Sequence, residues 1–416
     1  MKQAPVATAA QMPDAPPAPL AGCRVVEIAS TPAAAYAARM LAAMGAQVTM
    51  LEPASGSPLR CMPPRLEGGL GESALFAYLS AGKRSLACEL ASQAGQDVLA
   101  RQLAEADILI EDVPVAAKAA LGLGHEGPHG TLARFPALVH VSVLPFGAQG
   151  PKAHWQGEEL NLVHAAGEGF LLPNGLSHER FPERAPLKIY GHFAGYQGGT
   201  MAALAALSAW WAVPQCGGQH VDVSVQDATL AVGAFAIQRL GDGSLEHRAT
   251  RRFRYGGVFE TRDGFVELLT LEDRQWEGLV EVLDHPAWAA DPALADPLER
   301  SRRGDEINAH IRVWMAGHDA EEVVRRAQQA GVPLARYRTP ADVVAGAHEQ
   351  ARGLFVPTVL PDGREVPVLR APFQFRTTPL PPLGPVPARP AREPGQQEVQ
   401  RAEQAGAQAG AREATP

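Results

Sequence analysis

Short apolar runs alternate with helix-spaced apolar residues through the first third of the chain. Residues 23–28 and 48–52 predict buried strands, and the apolar spacing over residues 33–44 predicts a helix between them. The same alternation continues with an extended run at 85–90, a helical pattern at 93–104 and apolar runs at 108–110 and 138–143. Strands that alternate with helices at this spacing predict an α/β fold with a doubly wound parallel sheet.

The later part of the chain has a different pattern. Residues 197–213 are mostly small and apolar, and they predict a helix that packs closely against the sheet or against a second subunit. Residues 256–271 alternate in the manner of a β-hairpin, and helical patterns follow between residues 276 and 330. Together these elements predict a smaller α+β domain.

Composition narrows the class of protein. Lys and Arg number 37 against 45 Asp and Glu, a net charge of −8, so no overall positive field attracts nucleic acid or an anionic membrane. The four cysteines lie far apart, which favours neither a zinc site nor a disulfide framework and fits a reducing cytoplasm. No apolar run reaches the ~18 residues of a membrane span. The sequence therefore predicts a cytoplasmic protein.

The common catalytic motifs are missing from the sequence. None of the 13 histidines stands in H-E-x-x-H or another metal-ligand spacing, so no bound metal is predicted. The chain has neither a G-x-S-x-G elbow nor a P-loop, and its first strand–helix junction lacks the G-x-G-x-x-G of dinucleotide-binding sites. Nucleotide hydrolysis and hydride transfer are disfavoured for this reason.

Three cations lie near the ends of predicted strands. Arg60 comes just after the second strand, and Lys83 and Arg84 come just before the next one. Cations at the carboxyl edge of a parallel sheet can bind phosphate groups. The alternative is that these are solvated loop charges.

Two carboxylates and one histidine are further candidates for chemistry. Glu158 and Glu159 open a predicted helix, where a carboxylate also stabilises the helix N-terminus. His192 lies in a glycine-rich loop ahead of the long apolar helix, where a ligand can approach the backbone closely. A purely structural histidine is the alternative for His192.

Taken in order, several segments resemble the class III CoA-transferases, also called the CaiB/BaiF family. The segments that carry the likeness include LAGCRVVEIAS, RMLAAMGAQVTMLEP, FAYLSAGKRSLACEL, GEELNLVHAAGEG, GGQHVDVSVQDA and YGGVFETRDGFVELL. The likeness extends over roughly residues 20–378. It implies a doubly wound large domain made from both chain ends, a smaller α+β domain between them, and an interlocked dimer.

The resemblance also implies a division of the chain into domains. Residues 1–19 and 381–416 are rich in Ala, Pro and Gln and are predicted to be a disordered lead-in and tail. The remaining boundaries place the first part of the large domain at 20–238, the small domain with its connectors at 239–335, and the return to the large domain at 336–380.

The activity implied by the resemblance is transfer of CoA from an acyl-CoA to a free carboxylic acid. Coenzyme A is then a thioester substrate, and no cofactor is bound permanently. By position, Lys83, Arg84 and Asp112 fall where the family contacts CoA, and Arg60 lies nearby. The basic residue that the family has shortly before Leu121 is Ala120 here.

The chain departs from the family at the nucleophile. The family uses an aspartate in the loop before the small-residue helix, and His192 falls at that position. A carboxylate attacks the thioester, and its own carbonyl carbon then takes up CoA; an imidazole has no such carbonyl. We therefore predict a subunit that acts beside a related chain carrying the aspartate. Heteromeric members such as succinyl-CoA:benzylsuccinate CoA-transferase imply a dicarboxylate and its CoA ester as substrates.

Two other functions fit the same residues. The acyl-CoA racemases of the family move a proton with a His and an Asp, and Glu158 and His192 form such a pair with the residue types exchanged. The third hypothesis is a protein that binds CoA esters without catalysis.

Overall fold

Six parallel strands form the sheet of the larger unit, in the order β3-β2-β1-β4-β5-β6. They are β1 (Arg24–Ile28), β2 (Gln47–Glu52), β3 (Arg84–Ala87), β4 (Ile108–Glu111), β5 (Val139–Leu144) and β6 (His220–Ser224). Strand β1 pairs with β2 on one side and with β4 on the other, so the sheet extends in both directions from β1. The predicted α/β fold with a doubly wound parallel sheet is thereby confirmed.

The computed structural model describes residues 16–66, 73–173, 175–233 and 255–390. Up to residue 233 the α-helices are α1 (Pro32–Ala43), α2 (Ala74–Ser80), α3 (Gln93–Ala104), α4 (Val115–Lys118), α5 (Thr131–Arg134), α6 (Glu159–Ala165), α7 (Gly175–Arg180), α8 (Phe193–Cys216) and α9 (Val225–Val232). Later helices are Asp273–Val282, Pro297–Arg302, Gly304–Met315, Ala320–Gln329, Pro340–Val344 and Ala347–Ala351.

Apolar side chains lie on both faces of the sheet, because helices cover both faces. Val25 of β1 packs in the core that α1 and α8 share, whereas the next residue, Val26, packs in the core that includes α3. Ile108 and Leu109 of β4 divide in the same way. Successive strand residues point to opposite faces, so apolar residues at consecutive positions indicate a strand that is buried on both faces.

Small residues bring α8 close to α1. A Cβ atom on Gly199 would lie 2.5 Å from the carbonyl oxygen of Ala33, and a Cβ atom on Gly198 would lie 2.7 Å from a methyl group of Val225. Only glycine fits at these two positions without a shift of the backbone or of its neighbours. The small-residue helix that the sequence predicts, α8, thus packs directly against α1.

The smaller unit contains its own antiparallel sheet. Strands β7 (Gly257–Thr261), β8 (Gly264–Leu268) and β9 (Leu334–Arg336) pair in that order. The hairpin predicted over residues 256–271 is therefore present. Its core is formed by apolar residues of the sheet and of the helices that follow, among them Phe259, Val266, Trp276, Leu279 and Ile311.

The division of the chain differs from the predicted one. Among the described residues, the smaller unit consists of residues 167–173, 175–189, 233 and 255–350, and the larger unit contains the others. Residues 167–189 join the smaller unit through tertiary contacts, such as the ion pair of Arg180 with Glu260 at 2.6 Å. No local pattern in the sequence signals such contacts.

The predicted tail begins too early. Val386 is buried, and its backbone N–H donates to the carbonyl of Val359 at 2.9 Å, so residues within 381–390 pack against the larger unit. Residues 1–15 of the predicted lead-in, residues 239–254 of the predicted connector and residues 391–416 of the tail lie outside the described residues. No helix in the part of the chain that the structure describes is long and apolar enough to cross a membrane.

Candidate functional site

A cavity of about 310 Å³ opens at the carboxyl ends of the parallel strands. Ser30 and Thr31 line it just after β1, Pro58 after β2, Pro145 after β5, and Val225 directly after β6. Ligands of doubly wound folds bind at this edge of the sheet, because the loops there leave a crevice where the strand order reverses. The cavity is therefore our candidate active site.

His192 lies at the N-terminus of the long helix α8 and lines this cavity. Gly191 before it has a φ of +87°, a left-handed conformation that favours glycine and turns the chain into the helix. The ring of His192 is partly buried, and its centroid lies 6.2 Å from that of Tyr196, one helical turn later. Burial raises the pKa of Tyr196 to about 12, with smaller effects of Tyr36 and Glu159.

Glu159 binds the N-terminus of α8 from the neighbouring helix α6. Its Oε1 accepts a hydrogen bond from the backbone N–H of Ala194 at 2.9 Å, and its Oε2 accepts one from Gly195 at 3.1 Å. These are the two N–H groups that an N-cap side chain of α8 would bind. His192 occupies the N-cap but makes no capping hydrogen bond through its side chain. Glu159 thus supplies the carboxylate at this helix end.

Glu158 lies in the same cavity and has a different environment. It is exposed, it is the N-cap residue of α6, and its backbone N–H donates to Oδ1 of Asn161 at 3.0 Å. The cavity therefore brings together the three candidates Glu158, Glu159 and His192. Glu158 and Glu159 differ in that the second carboxylate is held by backbone groups.

Asp112 is buried just after β4 and fixes the first strand–helix turn. Its carboxylate accepts hydrogen bonds from the backbone N–H groups of Ser30 and Thr31, at 2.8 Å and 2.6 Å for the nearer oxygen, and from the Ser30 hydroxyl. Burial raises the pKa of Asp112 to about 6, and these hydrogen bonds oppose the rise. Through these hydrogen bonds Asp112 fixes the position of Ser30 and Thr31, which line the cavity. Its predicted contact with CoA stays a prediction.

Lys83 is buried in an ion pair. Its Nζ donates to Oε2 of Glu27 at 2.6 Å and to the carbonyl of Ala35 at 2.9 Å, and the two charged side chains are 0% and 1% exposed. Burial raises the pKa of Glu27 and lowers that of Lys83, while the attraction between the two opposes both shifts. Lys83 therefore connects β1 with α1 inside the unit, and its predicted role in CoA binding stays a prediction.

Arg60 and Arg84 are not in the cavity that contains His192. Arg60 pairs with Glu52 through Nε at 2.9 Å and Nη2 at 2.7 Å, and it lines a second cavity. Arg84 is exposed and is the first residue of β3, opposite Thr49 of β2. The expected placement of Arg84 at the carboxyl edge of the sheet is wrong, because Arg84 lies at the amino end of its strand.

A buried polar network beside β4, β5 and β6 was not expected from the sequence. Oε1 of Glu111 accepts hydrogen bonds from Lys118 Nζ at 2.6 Å and from the Ser142 hydroxyl at 2.5 Å, and it lies 3.2 Å from His140 Nε2. The Ser142 hydroxyl is also 2.8 Å from Nε2 of His220. Burial alone would raise the pKa of Glu111, but hydrogen bonds and charges of His140 and Lys118 hold it below its usual value.

Sequence reasoning also missed Ser30 and Thr31. Both line the cavity, and the one signal that could have found them is their position just after the first strand, where ligand-binding loops of this fold lie. Nothing in the sequence indicated the buried network, because its charged residues and histidines are not spaced in any recognisable motif.

A family model described as CoA-transferase family III matches residues 20–391 of the chain. Among curated proteins, the chain is 29% identical over 386 residues to succinate–glutarate CoA-transferase of Agrobacterium fabrum, covering 89% of this chain and 92% of that protein. It is 32% identical over 244 residues to subunit BbsE of succinyl-CoA:(R)-benzylsuccinate CoA-transferase of Thauera aromatica, covering 58% and 57%.

A solved structure shows the same similarity in three dimensions. A CAIB/BAIF family protein from Brucella suis superimposes with a TM-score of 0.75 and 26% sequence identity, covering 93% of this chain and 100% of that one. The match extends over nearly the whole chain, and the cavity with His192 lies inside the matched region.

Proposed function

Because the chain belongs to CoA-transferase family III, we propose that it is a subunit of an enzyme that moves CoA from an acyl-CoA to a free carboxylic acid. Coenzyme A takes part as a thioester substrate and not as a permanently bound cofactor. The proposed partner is a related chain that carries the catalytic aspartate, and the proposed location is the cytoplasm. Family membership supports the reaction class, and the site supports the need for a partner.

The single observation behind this proposal is the position of His192. It lies at the N-cap of α8 and lines the cavity at the carboxyl edge of the sheet. A chain with the family fold and a formed cavity, but with an imidazole at this place, retains a binding site and lacks the nucleophile. Transfer through this chain therefore needs a carboxylate from elsewhere.

The chemistry explains why imidazole does not suffice. A carboxylate attacks the acyl-CoA carbonyl, the C–S bond breaks, and a mixed anhydride and CoA thiolate form. The thiolate then attacks the carbonyl carbon of the enzyme carboxyl group, which releases the first acid and leaves CoA as an enzyme thioester. Imidazole can accept the acyl group in the first step, but it has no carbonyl carbon for the second.

The carboxylates in the cavity do not remove this requirement. Both oxygens of Glu159 accept hydrogen bonds from the α8 backbone, which stabilises the anion and makes it a weaker nucleophile. Glu158 is exposed at the N-terminus of α6. We therefore assign the nucleophile to the partner chain and the binding surface to this one.

The names of the relatives support the finer points of the proposal. One relative is a succinate–glutarate CoA-transferase, and another is a subunit of a succinyl-CoA-dependent enzyme. We propose succinyl-CoA as the donor, a second carboxylic acid as the acceptor, and an interlocked assembly of this chain with its partner.

The test compares the chain alone with the chain co-expressed with a related neighbour. Each preparation is incubated with succinyl-CoA, treated with hydroxylamine and mapped by mass spectrometry, because hydroxylamine converts a protein thioester into a hydroxamate. We expect a thioester only in the co-expressed assembly, on an aspartate of the partner. A thioester on Glu158 or Glu159 of the lone chain, with turnover, would overturn the proposal.

A second candidate function is favoured by one observation: Glu158 and His192 line the same cavity. An acid and a base facing one substrate can move the proton next to a thioester carbonyl, as in a racemase. The test is exchange of solvent deuterium into the α position of an acyl-CoA. Exchange that is lost in both Glu158→Gln and His192→Ala would favour this function, and no exchange in the wild type would exclude it. Binding of CoA esters without exchange or transfer would indicate a non-catalytic protein.

A further inference from the structure

Part of the lining of the cavity that contains His192 is apolar. Five apolar residues contribute to it, and we call them the apolar wall: Met62, Val143, Pro145, Leu162 and Val225. They come from four separate stretches of the chain, namely the segment after β2, the end of β5, helix α6 and the start of α9. Apolar side chains that converge from distant stretches favour an apolar ligand group over water. A reacting carboxyl group does not by itself account for such a wall.

The apolar wall is backed by the core of the larger unit. Val143, Leu162 and Val225 are 1%, 5% and 3% exposed, and all three belong to the core that α1 and α8 share. Closely packed side chains hold their positions, because a shift of one of them opens a void or makes a clash elsewhere. The shape of the apolar wall is therefore set before a ligand binds.

Two helices lead from polar groups of the cavity to the apolar wall. In α6, Glu159 is followed three residues later by Leu162, and residues at this spacing lie on the same face of a helix. In α8, the N-cap residue His192 is followed by Gly198, where a Cβ atom would lie 2.7 Å from a methyl group of Val225. The helices meet at their N-termini, where Glu159 binds the α8 backbone. A ligand beside them therefore meets polar groups at one end and the apolar wall at the other.

The proposed donor makes little use of this lining. The cavity has a volume of about 310 Å³, which is at the lower end of the range of about 300–1,000 Å³ for small-molecule sites. A succinyl group has only two methylene groups between its carbonyl carbons, so it covers little apolar surface. The other acid of the transfer is therefore the one to which the apolar wall is suited.

We infer that the acceptor acid carries an apolar alkyl or aryl group, which packs against the apolar wall while its carboxyl group lies beside His192. The inference rests on the proposed function, because that function assigns the substrate-binding surface to this chain. It names the class of acceptor as a monocarboxylic acid with an apolar body. A second carboxylate in place of the apolar group loses its hydration against these side chains and gains no partner among them.

Gly195 offers a way to make the cavity smaller without disturbing the fold. A Cβ atom on Gly195 would lie 3.7 Å from the backbone nitrogen of Ala33, from Oε2 of Glu159 and from Cβ of His192, all of them ordinary contacts. Those three residues and Gly195 line the cavity, so the methyl group of Gly195→Ala occupies part of it. The matched control is Gly124→Ala, because Gly124 also has room for a methyl group, 3.7 Å from Cα of Ala119, and does not line the cavity.

Met62 offers the opposite change. It is half-buried in the apolar wall, and Met62→Ala removes most of its side chain and makes the cavity larger. The matched control is Met40→Ala, because Met40 is also half-buried in the larger unit and does not line the cavity. The two variants thus change the size of the site in opposite directions.

The test measures CoA transfer by the co-expressed assembly from succinyl-CoA to propanoate, pentanoate, glutarate, 3-phenylpropanoate and 4-phenylbutanoate. Pentanoate and glutarate have the same five-carbon chain and differ at one end, where a carboxylate replaces a methyl group. Calorimetric titration of the assembly with each acid measures binding independently of turnover. Circular dichroism and thermal unfolding confirm that each variant is folded.

For the wild type, we expect kcat/KM to rise about fourfold for each methylene group that becomes buried between propanoate and pentanoate. Pentanoate should exceed glutarate about tenfold or more, because the second carboxylate of glutarate is left without a partner at the apolar wall. Binding of 3-phenylpropanoate should show a negative heat-capacity change, which is the mark of apolar burial.

The variants should change the preference among acids. Gly195→Ala should lower kcat/KM for 3-phenylpropanoate about tenfold and leave that for propanoate nearly unchanged, because only the larger acid needs the lost space. Met62→Ala should move the preference from 3-phenylpropanoate to the longer 4-phenylbutanoate. Gly124→Ala and Met40→Ala should keep the wild-type ratios.

Several results would overturn the inference. Transfer to glutarate that equals or exceeds transfer to pentanoate would overturn it and leave the proposed function intact. Wild-type ratios in folded Gly195→Ala and Met62→Ala would show that the acid binds elsewhere, which also overturns it. An assembly that transfers CoA to none of the acids would count against the proposed function itself. Calorimetry then still decides the inference, because tighter binding of pentanoate than of glutarate supports it and equal or weaker binding overturns it.

Discussion

The carboxylate of Glu159 and the backbone N–H of Ala194 are 2.9 Å apart, and this contact joins the start of α6 to the start of α8. The second oxygen binds Gly195 at 3.1 Å. A residue from another helix thereby does what an N-cap residue of α8 would do. The arrangement places a negative charge at the helix end beside His192 and holds the loop that forms one wall of the cavity.

Replacing Glu159 should destabilise α8 at its first turn. We expect Glu159→Ala to lower the free energy of unfolding by about 1–2 kcal/mol, the usual loss when a capping side chain is removed. Glu159→Gln should lose less, because the amide oxygen still accepts one hydrogen bond. Urea unfolding measures the change, and the control is Glu183→Ala, which removes an exposed glutamate outside the helices. Equal stability of Glu159→Ala and the control would contradict the capping role.

Restoring a carboxylate at the N-cap should create the missing nucleophile. We expect His192→Asp to form a hydroxylamine-sensitive CoA adduct on the lone chain in the presence of succinyl-CoA, because the aspartate supplies the carbonyl carbon that imidazole lacks. His192→Asn, of the same shape and without the anionic oxygen, is the control and should form none. Mass spectrometry of the intact protein detects the adduct. Failure of a folded His192→Asp protein to form any adduct would mean that more than the nucleophile is missing.

Breaking the Lys83–Glu27 ion pair from one side should be costly. Lys83→Met leaves the Glu27 carboxylate buried without its cation, and we expect a loss of about 3–5 kcal/mol in unfolding free energy. The double variant Glu27→Gln/Lys83→Met should be more stable than Lys83→Met, because no unpaired charge remains. Urea unfolding of the two single variants and the double variant forms a mutant cycle. Additive losses would contradict a direct pair.

His220 should make the fold sensitive to acid. Burial is the largest of the causes that lower its pKa to about 3; the nearby His125, His140 and Lys118 contribute to the lowering, while Glu111 opposes it. The unfolded chain binds the proton near pH 6.5, so stability is lost as the pH falls from about 6.5 towards 3. Thermal unfolding across this range should show a smaller loss in His220→Gln than in the wild type. Parallel pH profiles would contradict this role of His220.

Asp112 should act in the opposite direction. Its folded pKa is about 6, whereas an unfolded aspartate titrates near ~3.9. Its contribution to stability is therefore fully present below about pH 4 and is lost as the pH rises through 6. We expect Asp112→Asn to lose more stability than the wild type on acidification from pH 6 to pH 4. A profile in that window that matches the wild type would show that the carboxyl does not titrate there.

Local patterns in the sequence were sufficient to predict most helices and strands of the larger unit. The predicted helix at 93–104 is α3 (Gln93–Ala104) without change, and the first predicted strand, 23–28, differs from β1 (Arg24–Ile28) by one residue. Such elements follow from the spacing of apolar residues within a short window. Membership of residues 167–189 in the smaller unit depends on contacts between distant residues, which no window contains.

The candidate site, too, could be predicted only in part from the sequence. The sequence identified His192 and the two glutamates, because they stand at helix starts, and all three line one cavity. It did not distinguish Glu158 from Glu159, since only the tertiary structure shows which carboxylate reaches α8. It also treated Lys83 as a surface cation, because a buried and a solvated lysine look alike until the partner, Glu27, is placed beside it.

The last described segment also constrains the order in which parts of the larger unit can fold. The N–H of Gly82 donates to the carbonyl of Pro385 at 2.9 Å, and a Cβ atom on Gly384 would lie 2.9 Å from the Cα of Gly82. The ribosome makes residue 385 only after the whole smaller unit. The surface around Gly82 in the nascent larger unit therefore stays uncovered until residues 384–385 have been synthesised, and a chaperone that shields this surface would assist folding.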